Sequence, residues 1–223
     1  MQNTTSAPKH IAVFGGTFCP IHNGHIGVAL FLQEQFHFDQ FLFLPNKAPT
    51  LDKTAAASLE HRLAMLELAL APYPMFTIDK REINRPTPSY MIETLESMRC
   101  ELDDEKAAIS LIIGMDSFQQ FHRWHAWQKI ITRCNLIVID RPGEIKAHPP
   151  EPLRKLMQEK RLQQIFDAKL LFSTKREGFY RVNAGAYAIS SEMIRLRIKS
   201  GQDIKPFVPA SVLQYIKENH LFQ

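Results

Sequence analysis

The chain has 223 residues, 45% hydrophobic and 22% charged, with a formal net charge of +4 at pH 7. This is the composition of a globular α/β-sized domain able to bury a substantial core; no block of like charge marks a nucleic-acid-binding face, while the slight basic excess suits a small anionic substrate. Cys19, Cys100 and Cys134 are widely spaced and form no C-x-x-C pair, which argues against a disulfide framework or a cysteine metal site and for a reducing compartment.

Met1 to His10 is polar, without the apolar centre of a signal peptide, and no run of about 20 apolar residues is available to span a bilayer. A cytoplasmic protein without a membrane partner is expected, its residues 1–8 flexible. Ile11 to Phe14 reads as a buried parallel strand running into the turn Gly15-Gly16, and the apolar segment Ile26 to Phe36 has the length of a helix beginning near Asn23. Phe41 to Leu44 is a second strand, closed by Pro45-Asn46. Ser58 is placed to cap a helix in which Leu59, Leu63, Leu66 and Leu70 share a face.

Phe76 to Ile78 is a third strand. Thr87-Pro88-Ser89 starts a helix carrying Met91, Leu95, Met98 and Leu102 on its inner face, and Ile109 to Ile113 is the most strand-like segment of the chain, ending at Gly114-Met115-Asp116-Ser117. One or two short helices are expected within Phe118 to Ile131, a strand at Leu136 to Ile139, a basic helix at Leu153 to Phe166 and a strand at Leu170 to Phe172. Helices at Ser190 to Lys199 and Ser211 to Asn219 complete the chain. Strands alternating with helices predict a Rossmann-like doubly wound parallel sheet with helices on both faces, a single domain over residues 1–223 whose part 189–223 is helical.

The turn after the first strand is where such a sheet binds ligands, and the N–H groups opening the next helix attract anions, phosphate above all. His22 and His25 project there if Asn23 caps the helix. Two bland readings stand beside this one: ordinary first-turn residues, or a metal pair at i and i+3 that lacks a nearby third ligand. Neither G-x-x-x-x-G-K nor G-x-G-x-x-G is present. A second candidate is Ile189-Ser190-Ser191-Glu192-Met193-Ile194-Arg195. With Ser190 as N-cap, the Arg195 side chain leans back over the free N–H groups and forms an anion cradle.

His22-Asn23-Gly24-His25 resembles the H-x-G-H signature of the nucleotidyltransferase superfamily, and Gly15 to His25 as a whole resembles the nicotinate-nucleotide adenylyltransferases. The segment Ile189 to Arg195 is similar to that superfamily's I-S-S-T-x-I-R helix, and Gly114-x-Asp116-Ser117 with Trp124 to its acceptor-side elements. The resemblance implies transfer of the adenylyl group of ATP to nicotinate mononucleotide, giving deamido-NAD and pyrophosphate, with Mg²⁺ accompanying ATP and no metal held by the protein alone.

By the same resemblance His22, His25 and Arg195 are the catalytic residues, supplying positive charge to the transferring and leaving phosphates. Gly15, Gly16, Thr17, Phe18, Gly114, Ser190 and Ser191 join them in holding ATP; Asn46, Lys47, Tyr90, Asp116, Trp124 and Arg141 fall on the mononucleotide side, with Trp124 as a stacking platform for the pyridine ring. Cys19 stands where the family usually has Asp, Leu51 where a His is common, Met91 where Thr follows the Tyr, and Glu192 where the family has Thr. Acceptors left open are nicotinamide mononucleotide and phosphopantetheine, and a nucleotide-binding regulatory protein without turnover is the reading from another class.

Overall fold

Strand β1 (His10–Gly16) carries the apolar run of the first motif, and Ile11, Ala12, Val13 and Phe14 are all buried. A strand covered on both faces needs a continuous apolar run rather than alternation, and this is the one the sequence supplies. The computed structural model describes residues 9–48, 55–86, 88–102, 107–140, 148–167, 170, 178–184 and 189–223.

β1 pairs in parallel with β2 (Gln40–Pro45) on one side and β4 (Ala108–Gly114) on the other. β3 (Phe76–Ile78) extends the sheet beyond β2, and β5 (Asn135–Ile139), β7 (Gly178–Val182) and β6 (Gln163–Ile165) extend it beyond β4, giving the seven-stranded all-parallel order β3-β2-β1-β4-β5-β7-β6. After β3 the chain crosses to the far side of β1. That reversal opens a crevice at the carboxyl ends of β1 and β4. Gly16 lies in register with Pro45 and Gly114 with Ile139 along this edge.

Successive β1 side chains point to opposite faces, so each face has its own core. Ala12 and Phe14 pack with α1 (Asn23–Phe36), α2 (Leu59–Leu70), α8 (Ser191–Lys199) and α9 (Ala210–Glu218). Ile11 and Val13 pack with α4 (Met91–Glu101), α5 (Met115–Gln119), α6 (Trp127–Ile131) and α7 (Glu151–Gln158). The expected doubly wound sheet is therefore the observed one, and no helix among the described residues is long and apolar enough to cross a membrane.

The sequence reading fails between β5 and α8, while the two C-terminal helices fall where they are expected. The helix expected to run from Leu153 to Phe166 is only α7; Lys160 adopts φ 57°, the left-handed conformation that ends it, and the chain turns into β6. The three-residue β6 is too short and polar to announce itself. The first residue of β7 is a glycine, and a Cβ there would meet Ile165 Cδ1 at 2.3 Å, so only glycine lets the two strands lie this close. Of the strand expected at Leu170 to Phe172, Leu170 is helical and the rest lies outside the described residues. The short helix α3 (Arg81–Asn84) carries no periodic signal that would reveal it in the sequence, and α4 starts at Met91 with Tyr90 as N-cap rather than at Ser89.

Candidate active site

The turn leaving β1 is held open by backbone strain and by side chains that grip its carbonyls. Phe18 has φ 47°, a conformation that costs a non-glycine residue energy and persists only where packing enforces it. The packing is visible: the Phe18 ring meets Phe14 edge-on at 6.0 Å, lies 5.7 Å from Phe43, and touches His25 edge-on at 5.2 Å. It also occupies the space above Gly16, where an added Cβ would stand 2.9 Å from its Cζ. Gly16 is a glycine so that Phe18 can fold back.

Three carbonyls of this turn then receive side-chain donors. Arg62 Nη1 donates to Thr17 O at 2.9 Å, Arg195 Nη1 to Cys19 O at 2.7 Å, and Ser191 Oγ to Pro20 O at 2.8 Å. Arg195 and Ser191 belong to α8, which is capped by Ser190 accepting the Met193 N–H at 3.1 Å. These contacts join residues 176 and 171 positions apart, so the two sequence motifs form one structure. Glu192 is exposed and pairs with nothing among the described residues, so its carboxylate turns to solvent and not to Arg197.

His22, rather than Asn23, is the N-cap of α1. Asn23 is tied elsewhere: its N–H donates to Phe207 O at 2.8 Å and its Nδ2 to Pro206 O at 3.1 Å. The His22 N–H donates to His25 Nδ1 at 3.3 Å, and the two imidazoles lie 3.7 Å apart at 32°. Because Nδ1 accepts, the neutral His25 ring carries its proton on Nε2. Burial pushes the His25 pKa from its ordinary 6.5 down to about 3, so at neutral pH the ring is an uncharged donor. What the ring offers in this geometry is an Nε2–H donor, where the sequence leads to the expectation of a positive charge.

The groups that the resemblance assigns to the mononucleotide are more open. Gly114 is exposed, a Cβ added to it would meet nothing within 4 Å, and Asp116 is exposed on the first turn of α5. Trp124 is half-buried against Phe121, centroids 5.3 Å apart, and the Tyr90 ring stacks on His125 at 4.4 Å and 31°. Met91 lies across the glycine turn, its Cε 3.4 Å from where a Gly15 Cβ would be. Asn46 is committed to the protein: its Nδ2 donates to Thr17 Oγ1 at 3.1 Å and its Oδ1 accepts from Arg62 at 3.3 Å. Lys47 Nζ donates to Arg85 O at 3.0 Å. Arg141 and Leu51 lie outside the described residues.

Two buried charged residues that the sequence reading misses stand behind these groups. Arg62, 2% exposed, donates to Thr17 O, Asn46 O and Oδ1, and Lys47 O, and burial pulls its pKa below the ordinary value. Glu82, also 2% exposed, accepts from Thr94 Oγ1 at 2.8 Å and from Ser89, and burial raises its pKa. Ser89 Oγ in turn accepts the Lys47 N–H at 3.0 Å. A signal exists for Arg62: it sits one turn before Leu66 on the apolar face of α2, where a charge is out of place. Glu82 gives none.

A parallel sheet with an anion-receptive turn at its switch point, braced by a second capped helix, is the architecture of a nucleotide-binding α/β transferase. Residues 13–197 match the family model described as Cytidylyltransferase-like. The chain is 43% identical over 213 residues to the probable nicotinate-nucleotide adenylyltransferase of Legionella pneumophila (strain Paris), covering 96% of this chain and 99% of that one. It is 37% identical over 217 residues to the protein of the same name from Pseudomonas aeruginosa (strain UCBPP-PA14), covering 96% and 98%. Plasmodium falciparum nicotinic acid mononucleotide adenylyltransferase, solved in complex with NaAD, shares the fold with a TM-score of 0.70 at 18% identity over 96% of this chain and 97% of its own. The chain therefore belongs to the Cytidylyltransferase-like family, among its nicotinate-nucleotide adenylyltransferases.

Proposed function

We propose that this chain is a single catalytic domain that joins ATP and nicotinate mononucleotide into deamido-NAD. The observation that carries the reading is the docking of α8 on the glycine turn through Arg195 and Ser191, which joins Arg195 to the turn that also carries Phe18 and the His22–His25 pair. A 5′-phosphate oxygen of the mononucleotide forms a bond to the α-phosphorus of ATP while the α–β bridging bond breaks. Pyrophosphate leaves with the electron pair. No proton has to move, so a neutral His25 suits this chemistry, because its Nε2–H donates to oxygens whose charge grows in the transition state. Arg195 has one Nη1–H fixed on Cys19 O and keeps further donors for the departing phosphates.

ATP arrives as its complex with a divalent ion, for which Mg²⁺ is the proposed identity. The ion would be held chiefly by the triphosphate oxygens, with the N–H donors of the turn and the Arg195 cation facing the phosphates. When bound it neutralises phosphate charge. On the acceptor side, Trp124 would stack on the pyridine ring, with Tyr90 and Asp116 beside it and Arg141 taking the mononucleotide phosphate. Asn46 and Lys47 would act chiefly by setting the β2 turn, since their polar groups are already engaged. ATP and Mg²⁺ supplied with nicotinate mononucleotide, nicotinamide mononucleotide or phosphopantetheine should release pyrophosphate fastest with the first; ATP binding without release for any acceptor would replace the enzyme reading with a regulatory one.

A further inference from the structure

Arg62 is an expensive residue for a fold to bury. Its guanidinium is surrounded by carbonyl oxygens, its Nε has no hydrogen-bond partner, and no carboxylate pairs with it among the described residues. An apolar side chain of similar volume would spare that desolvation cost but would leave the Thr17, Asn46 and Lys47 carbonyls without their donor. What the arginine achieves lies in the peptides it holds.

In a trans peptide the C=O and the following N–H point in opposite directions. A carbonyl drawn towards Arg62 therefore turns its partner N–H away from α2. The Asn46 carbonyl illustrates this: it accepts from Arg62 at 2.9 Å, and the Lys47 N–H on the other side of that peptide donates to Ser89 Oγ at 3.0 Å. The Thr17 carbonyl is held in the same way at 2.9 Å, but the Phe18 N–H beyond it finds no acceptor among the described residues. That N–H belongs to the strained residue at φ 47°, between Gly16 and the His22–His25 pair. Arg62 also holds Lys47 O at 2.8 Å, so one side chain fixes the ends of β1 and β2 together.

We infer that Arg62 is a positioning residue of the transfer site: it aims the Phe18 amide at a phosphate of ATP and sets the spacing between the turn that holds ATP and the turn that borders the mononucleotide. The inference rests on the adenylyltransferase reading. Arg62 touches no substrate and acts through Thr17, Phe18 and Lys47.

The test compares the full-length wild type with Arg62→Met and Arg62→Lys. Pyrophosphate release gives kcat and KM, calorimetric titration gives ATP affinity, and amide NMR follows the Phe18 N–H as ATP is added. In wild type the Phe18 amide proton should move downfield on ATP addition. In folded Arg62→Met that shift should vanish and kcat fall about 10²-fold, the size of losing one preorganised donor to the reacting phosphate. Arg62→Lys keeps the charge but cannot span all the carbonyls; it should leave ATP affinity within about threefold while kcat falls about tenfold, a split that simple destabilisation would not produce. A folded Arg62→Met with wild-type kcat and an intact Phe18 shift overturns the inference. If Arg62→Met does not fold, an Arg62→Lys enzyme with unchanged kcat and Phe18 shift overturns it instead. Should wild type release no pyrophosphate, the function reading fails, while the ATP titration and the Phe18 shift still decide whether Arg62 aims that amide.

Discussion

The two ends of the crevice are built by opposite strategies. At the proposed ATP end, Thr17, Cys19 and Pro20 each have a carbonyl fixed by a side chain from α2 or α8, and Phe18 is wedged over Gly16. At the proposed mononucleotide end Gly114 faces open space, Asp116 is exposed, and Trp124 rests on the Phe121 ring. The first end is fixed by side chains that grip its backbone; the second leaves its groups exposed and places its rigidity underneath, in Glu82, Thr94, Ser89 and Arg85. Changes at the first end should cost turnover, and changes at the second should cost acceptor affinity.

The sharpest break of that division is His25→Ala, which should leave the fold intact and lower kcat by about 10² or more, since a preorganised donor to transition-state charge is lost. A folded variant with near-normal kcat would place the chemistry elsewhere. His25 also links the site to stability. Its pKa of about 3 in the fold lies below the ordinary 6.5, so between those values the unfolded chain binds more proton. Stability from this group is fully present above the ordinary value and is lost as pH falls through the window towards about 3. Urea unfolding of wild type and His25→Asn across that window should show the wild type losing stability more steeply; parallel curves would contradict it.

Gly16→Ala probes the wedge itself. The new methyl would stand 2.9 Å from the Phe18 ring, which is buried and cannot yield cheaply. Overpacking of this kind costs about 1–3 kcal/mol, to be read from the denaturant midpoint, with a loss of kcat as Phe18 shifts. An alanine variant as stable and active as wild type would mean that the turn is softer than its packing indicates.

What can be read from the sequence divides along the same line. The ATP end is legible because its demands are local: a strand, a glycine turn, two imidazoles at a helix start, and a serine cap with an arginine on the next turn, all set by neighbours in sequence. Even so, a reading of Asn23 as the cap misses that Phe207 and Pro206 claim it from the far end of the chain. Arg62 and Glu82 are not legible, because a buried charge is specified by carbonyls and hydroxyls that only folding brings to it. The edge of the sheet fails for another reason. β6 has three residues, two of them glutamine, and joins a ladder through backbone bonds that leave no hydrophobic pattern.

Trp124→Ala addresses the mononucleotide end. Loss of an aromatic platform is worth about 0.5–1.5 kcal/mol, so KM for nicotinate and nicotinamide mononucleotides alike should rise about two- to tenfold. KM for ATP should not move. A rise confined to ATP would show that the indole serves the nucleotide and would undo the contrast between the two ends.

The smallest effect is expected where the two ends touch, at Met91. A nicotinate carboxylate accepts hydrogen bonds only, whereas the carboxamide also presents an N–H₂ that needs an acceptor, so a donor-rich pocket discriminates by leaving the wrong group unpaired. Met91 provides neither partner: it opens α4 beside Tyr90, and its Cε lies over Gly15 rather than offering a polar atom to the pocket. Backbone N–H groups of the first turn of α4 remain donors whatever side chain stands there. Wild type should accordingly prefer the acid. Met91→Thr adds a hydroxyl at the helix start but also vacates the contact over Gly15, so the gain in discrimination is set by a half-exposed hydrogen bond loosened by lost packing. A rise of about threefold in the ratio of kcat/KM for acid over amide is the expected result, well below the full worth of a buried bond to a charged group. Equal kcat/KM values for the two acceptors in wild type would mean that the pocket reads neither group, and a larger ratio in Met91→Thr would then locate the missing donor at this position.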